Sequence, residues 1–144
     1  TRYAPEGHRS SGPTRALMVH GANYHEEANE KIISLAMIET VEALENVEKI
    51  AATEGLTGIY IGPSDLSISM GFNPGLDRVE PEMISAINKI YDACKNNNIK
   101  VGIHCLSPAY LKEKLSNGYD LATLASDVRI YAEGLSNKIK EARS

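Results

Sequence analysis

The sequence is poor in cysteine, in long apolar runs and in positive charge. Cys94 and Cys105 are its only thiols. They are too few and too irregularly spaced for a disulfide framework or a zinc knuckle, and they read as reduced thiols of a cytoplasmic protein. No apolar run approaches the ~20 residues needed to span a bilayer, which argues against a membrane partner. Lys and Arg number 15 against 19 Asp and Glu, giving a net charge of −4 and a pI near 5.6. With no basic cluster among them, nucleic acid is not an expected partner. The 11 Gly and 6 Pro follow no period, which excludes a collagen-like chain. No signal peptide or lipidation motif opens the sequence. Its first residue is Thr1 rather than Met, which reads as a sign that something upstream has been removed.

What is present fits a folded domain. Hydrophobic residues make up 42% of 144 positions and net charge is low, so general disorder is excluded. The length suits one domain with its own core, spanning residues 1–144. Residues 1–24, rich in Gly and Pro, read as loop with at most one short helix. Tyr24 to Lys31 reads as a helical turn or two. Ile32 to Ile38 is an apolar run of strand length, buried on both faces, that ends in Glu39. Thr40 to Ala52 carries Val41, Leu44, Val47 and Ile50 at helical spacing, with Gly55 available for a left-handed turn beyond it.

Leu56 to Ile61 is a second strand, broken by Gly62-Pro63, and Ser64 to Ser67 looks like a helix start. Pro81 to Asn96 is the clearest helix, with Met83, Ile84, Ile87, Ile90, Tyr91 and Cys94 on one face. Val101 to Cys105, Pro108 to Ser116, Leu121 to Leu124 and Val128 to Arg143 complete the series as strand, helix, strand, helix. Strands and helices thus alternate four times, which predicts an α/β fold with a parallel sheet and crossover helices. Two closures remain open at this point, a doubly wound sheet or part of a (β/α) barrel.

In either architecture chemistry collects where strands end. Those positions are Glu39, the turn Gly62-Pro63-Ser64-Asp65, His104 to Ser107, and Ser126-Asp127. Glu39 is either a helix N-terminal charge or a ligand, and Ser64 or Asp65 could equally be an N-cap. Two acids at the same end of adjacent parallel strands need a cation between them, and hard carboxylate oxygens select Mg²⁺ or Mn²⁺ over Zn²⁺. The N–H groups of the Gly62–Asp65 turn can hold a small carboxylate. A metal beside an anion site suits a 2-oxo acid, whose carboxylate and ketone oxygens both chelate.

These residues carry a resemblance. Met37-Ile38-Glu39-Thr40, then Gly62-Pro63-Ser64-Asp65-Leu66-Ser67 with Met70-Gly71, resembles the HpcH/HpaI family of metal-dependent class II pyruvate aldolases. Arg2-Tyr3-Ala4-Pro5-Glu6-Gly7-His8-Arg9 is similar to that family's R-Y-P-P-x-G-x-R-G loop, and Tyr24 to Glu30 to its Y-x-x-x-A-N-E segment. The likeness runs in register to the final helix. It implies the second half, strands five to eight, of a TIM (β/α)8 barrel. It also implies Glu39 and Asp65 as ligands of Mg²⁺ or Mn²⁺, with Co²⁺ as a further candidate. The amides of Ser64 and Asp65 would receive the pyruvate carboxylate, with Gly62 in the same turn. The implied reaction is reversible cleavage of a 4-hydroxy-2-oxo acid to pyruvate and an aldehyde. A base removes the 4-hydroxyl proton, and the C3–C4 bond breaks to leave the enolate of pyruvate.

Two positions depart from the family pattern. Gln is usual where this sequence has Met37, inside the barrel with Glu39 by strand alternation. His104 stands where apolar residues are common, so it either lines the pocket and alters aldehyde choice or only finishes the strand. In the family the Asp–His base and a pyruvate-binding Arg come from the first half of a barrel of about 250 residues. No position here matches them, so no catalytic residue is assigned, and His8, His20 and His25 read as surface histidines. The 144 residues alone are expected to bind Mg²⁺ weakly without turnover, and to leave two sheet edges and one face uncovered. They read as a remnant, a truncated or partial form of something longer, or a half-barrel that pairs with a second copy.

Two other functions stay in view. One is a citrate-lyase-β or malyl-CoA-lyase-like carbon–carbon lyase; the other is a non-catalytic half-barrel that holds a metal or anion or serves assembly. The resemblance also implies homo-oligomers, commonly hexamers.

Overall fold

A computed structural model describes residues 1–12 and 14–144; Pro13, part of the predicted opening loop, lies outside the described residues. The chain divides into two compact units, Thr1–Ser34 and Leu35–Ser144. The first contains α1 (Thr14–His20) and α2 (Tyr24–Lys31). Its opening loop is fixed to α2 by Asn29, whose Oδ1 accepts from the Tyr3 amide at 2.7 Å while its Nδ2 donates to the Tyr3 carbonyl at 3.0 Å. The Arg9 guanidinium lies 4.9 Å from the Tyr3 ring centre and donates to Tyr24 Oη at 3.2 Å. The Ala-Asn-Glu stretch of α2 therefore clamps the Arg-Tyr loop. His8 and His20 are exposed as expected. His25 is half-buried, packed on Tyr3 at 5.1 Å and bonded through Nε2 to Ser11 Oγ at 3.0 Å.

The second unit is built on β1 (Leu35–Ile38), β2 (Gly58–Ile61), β3 (Lys100–Cys105) and β4 (Leu121–Leu124). The strands lie in the order β1-β2-β3-β4 and every pair is parallel. A doubly wound sheet reverses direction at a switch point. Here each crossover steps the same way, which is the winding of a (β/α) barrel. The crossovers carry α3 (Val41–Glu45), α4 (Val47–Ala51), α5 (Pro63–Ser69), α6 (Pro81–Asn96) and α7 (Pro108–Ser116), and α8 (Asp127–Arg143) follows β4.

Alternate strand residues form the core. Ile38, Ile59, Ile61, Val101, Ile103 and Cys105 are fully buried together with Val47 of α4 and Met83, Ile87, Ile90 and Cys94 of α6. Both thiols sit in this core as free cysteines, and burial pushes each up to about 11. They have the character of packing groups rather than nucleophiles.

Several boundaries differ from the sequence reading for local reasons. β1 begins at Leu35 rather than Ile32, because the Ile32 amide still donates to the Ala28 carbonyl of α2 at 2.9 Å. The helix predicted over 40–52 is two short helices divided at Asn46. The Asn46 side chain and amide both bond the Glu42 carbonyl, at 2.9 and 3.2 Å, and compete with regular helix pairing. Gly55 adopts φ of 81°, as a left-handed turn requires. On α6, Ile84 is exposed and Ala86 and Ala93 take its place in the core. α8 forms, yet its Val128, Tyr131, Leu135 and Ile139 remain exposed. Among the described residues no helix is long and apolar enough to cross a membrane.

At the end of the sheet where the strands begin, Asp120 ties three groups together. Its carboxylate accepts from Lys100 Nζ at 2.8 Å, from the Val101 amide at 3.1 Å and from Lys95 Nζ at 3.2 Å. The Lys100 bond leads these in holding the carboxyl down to about 2. A folded value below the ordinary 3.8 means the contribution is complete above that value and is lost as pH falls through about 2. Asp120→Asn should therefore lower stability modestly at neutral pH and flatten its decline between pH 4 and 2. Urea midpoints measured across that range check both effects.

Candidate active site

Glu39 follows β1 directly, and parallel pairing sets Gly62 beside it. Ile38 stands opposite Ile61, and the Gly62 amide extends the ladder by donating to the Ile38 carbonyl at 3.1 Å. A Cβ at residue 62 would lie 3.2 Å from both Cβ and Oε2 of Glu39. Glycine thus leaves the space that the Glu39 carboxylate occupies. Glu39 lies outside the following helix, whose N-cap is Thr40, with Oγ1 accepting from the Ala43 amide at 3.1 Å. In α5 the N-cap position belongs to Gly62 and Pro63 opens the first turn, so neither Ser64 nor Asp65 is the cap.

This leaves several polar groups facing the same space. Among the described residues the carboxylates of Glu39 and Asp65 have no hydrogen-bond or ion-pair partner, and the amides of Ser64 and Asp65 have no acceptor. A cavity of about 180 Å³ is lined by Met37, Glu39, Tyr60, Gly62, Pro63, Ser64, Asp65, Leu76 and His104. Of the positions singled out in the sequence, Met37, Glu39, Gly62, Ser64, Asp65 and His104 meet there. Met37 stands opposite Tyr60 in the ladder, two residues before Glu39 and on the same face. Ser107 and Ser126 have another role: each caps a helix, accepting from the amides of Tyr110 at 3.2 Å and Arg129 at 3.3 Å.

His104 is neither a strand terminus facing solvent nor a free side chain. Its Nδ1 lies 2.7 Å from Thr123 Oγ1 on β4 and 3.1 Å from Tyr60 Oη on β2, and those two hydroxyls also bond each other. Gly102 eases this approach, since a Cβ there would meet Tyr60 Cδ2 at 3.1 Å, a tight contact. Tyr60 and Thr123 were not singled out in the sequence. Strand alternation gives their face, but only the register gives their neighbours.

Leu76 is placed by the next residue. Asp77, at a φ of 33°, accepts from the Leu106 amide at 2.7 Å and the Ser107 amide at 2.8 Å. The loop after α5 is thereby bound to the loop after β3. A second cavity of about 490 Å³ adjoins the first and shares Ser64, Leu76 and His104 with it; Pro74, Gly75, Leu106 and Arg129 line the rest.

The donor set suits a hard divalent cation. Among the described residues there is no group of three or more His, Cys, Asp or Glu able to hold a metal. Two carboxylates with remaining positions left to water and substrate fit Mg²⁺-type binding and fit a four-ligand zinc site poorly.

Parallel strands wound in one direction, with acids and free amides at their C-terminal ends, are the arrangement of a (β/α) barrel and of the end at which such barrels carry their sites. The family model for HpcH/HpaI aldolase/citrate lyase matches residues 1–133, and the chain belongs to that family. It is 37% identical over 142 residues to a hydroxypyruvate/pyruvate aldolase of Rhizorhabdus wittichii, covering 99% of this chain and 57% of that protein. It is 33% identical over 144 residues to a 2-keto-3-deoxy-L-rhamnonate aldolase of Salmonella paratyphi A, covering 96% of this chain and 52% of that protein. Among solved structures, an HpcH/HpaI aldolase/citrate lyase family protein from Burkholderia cenocepacia superposes with a TM-score of 0.82 at 27% identity. That match takes in 100% of this chain and 58% of the other. The fold is therefore that of the second half of a TIM barrel, and the chain spans about half the length of the curated relatives it matches.

Asp77→Ala would leave two amides of the β3–α7 loop without their acceptor. A loss of about 1–3 kcal/mol in unfolding free energy is expected. Faster hydrogen exchange at Leu106 and Ser107 should accompany it, and protection unchanged at both would contradict the assignment.

Proposed function

We propose that the whole protein is a divalent-metal-dependent aldolase that interconverts a 4-hydroxy-2-oxo acid with pyruvate and an aldehyde. The observation that carries this reading is the pair of unpartnered carboxylates, Glu39 and Asp65, lining one cavity with the turn that bears two free amides. Glu39 and Asp65 would hold Mg²⁺ or Mn²⁺, with Co²⁺ a further candidate. Bound there, such a cation supplies Lewis-acid stabilisation of charge developing on the 2-oxo oxygen.

The chain's own groups do the rest of what this half contributes. The Ser64 and Asp65 amides are two donors for the carboxylate of the oxo acid, favoured by the start of α5. Gly62 keeps the Glu39 carboxylate at the cavity wall. Met37 offers a thioether where an amide would donate, so orientation of the oxo acid falls to the two amides. His104 faces the space for the aldehyde portion. Proton transfer, on this reading, belongs to groups of the other barrel half, so the 144 residues alone bind ligands without turnover. Cytoplasmic residence and homo-oligomeric assembly, as hexamers, belong to the same reading.

Glu39→Gln in the whole protein is the test. Pyruvate release with Mg²⁺ or Mn²⁺ should fall at least about 100-fold, and calorimetric metal affinity should fall with it. Cleavage retained by the variant would overturn the assignment. A wild-type protein that loses only thermal stability on metal removal, with no cleavage to lose, would make this a structural site.

A further inference from the structure

The cavities of about 180 and 490 Å³ adjoin at the strand ends, and three residues line both: Ser64, Leu76 and His104. Ser64 is carried by α5 and His104 by β3. Leu76 is the one member of this boundary on a loop, the stretch between α5 and α6. A leucine on an untethered loop would yield to whatever pressed on it. Here the two residues that follow Leu76 are anchored, in opposite directions.

Asp77 reaches outward. Its two carboxylate oxygens accept from the Leu106 and Ser107 amides at 2.7 and 2.8 Å, and Ser107 is itself the N-cap of α7. The link therefore ends on a helix. It holds Asp77 at a φ of 33°, a left-handed conformation that persists where the surroundings impose it. Arg78 reaches inward, with its side chain only 10% exposed. Its guanidinium donates to the Asn73 carbonyl at 3.1 Å and to Glu80 Oε1 at 2.6 Å, and Glu80 is the N-cap position of α6. The loop is thus drawn onto one planar group. Gly75, beside Leu76, leaves room for that group, since a Cβ at residue 75 would collide with Arg78 Nη1.

We propose that Leu76 is a specificity-determining residue, held by Asp77 and Arg78 as positioning residues, that closes the metal site's cavity toward its larger neighbour and limits the chain length of the 2-oxo acid bound there. The proposal rests on the aldolase reading, which seats the oxo acid's carboxylate at the amides of Ser64 and Asp65. From that anchor, a chain that outgrows the 180 Å³ cavity on this side passes between Ser64, Leu76 and His104. A fixed leucine there meets the extra methylenes as overpacking. A yielding one would admit them into the larger space.

The test uses the whole protein with Mg²⁺, titrated calorimetrically with pyruvate and with 2-oxohexanoate. The wild type should bind pyruvate at least about 10-fold more tightly. Leu76→Ala should bring that ratio to about one, and Leu76→Ile, which keeps the volume, should preserve it. Asp77→Ala and Arg78→Met free the wall without removing it, and each should lower the ratio by at least about 3-fold. Asp120→Asn, which loses stability at the other end of the sheet, should leave the ratio unchanged and so separates positioning from folding. A second readout needs no ligand. In protein carrying ¹³C-methyl leucine, relaxation should report rigid Leu76 methyl groups in the wild type and mobile ones in Asp77→Ala. Mobile Leu76 methyl groups in the wild type, equal affinity of the wild type for the two acids, or a ratio untouched by Leu76→Ala would each overturn the proposal. Failure of the aldolase reading is seen separately, as pyruvate binding that does not depend on the metal, and the methyl relaxation then still decides whether Leu76 is a fixed wall.

Discussion

The pairing of Ile38 with Ile61 governs how Glu39 meets the Gly62–Asp65 turn. In a parallel ladder the ends of neighbouring strands lie level, so the first residue past β1 stands beside the first residue past β2. One of these is Glu39 and the other is Gly62, and the missing Cβ at 62 is the space into which the carboxylate fits. A slip of one residue would turn Glu39 toward the helix side, into the place of Ile38, and bury a charge beside Ile59 and Ile61. The apolar alternation that builds the core is therefore the same constraint that aims the acids at the cavity.

The two faces of the sheet divide the labour. The helix-facing side is aliphatic and closed, with α4 and α6 packed over it, and it accounts for most of the buried apolar side chains. The inner side carries Met37, Tyr60, His104 and Thr123, whose polar atoms bond one another or face the cavities. Folding free energy in this unit comes mainly from the first face. The second can be varied for chemistry at lower cost to the fold.

Legibility in the sequence followed the range of the forces involved. α6, α7 and β4 were readable to the residue, because Pro81, Pro108 and a bounded apolar run are local signals. The start of β1 was not, because apolar Ile32 and Ile33 look the same at the end of a helix as in a strand. The split at Asn46 turns on which donor takes one carbonyl, a competition that helical periodicity does not register. Within the site, Glu39, Gly62, Ser64 and Asp65 were legible as strand-end residues, and the family resemblance supplied their pairing. The His104 triad and the Asp77 bridge were not legible. Each joins residues distant in sequence, 29 and 30 positions apart for Asp77, through geometry that only the assembled sheet defines.

Gly102 and Tyr60 compete for a single volume on the inner face. A Cβ at 102 would sit 3.1 Å from Tyr60 Cδ2 and 3.3 Å from Leu121 Cβ, so a methyl group there is admitted only as both neighbours give by a few tenths of an ångström. The wall is thus shaped as much by bare backbone on the middle strand as by side chains: β3 stays low enough at this point for a ring from β2 to reach a hydroxyl on β4.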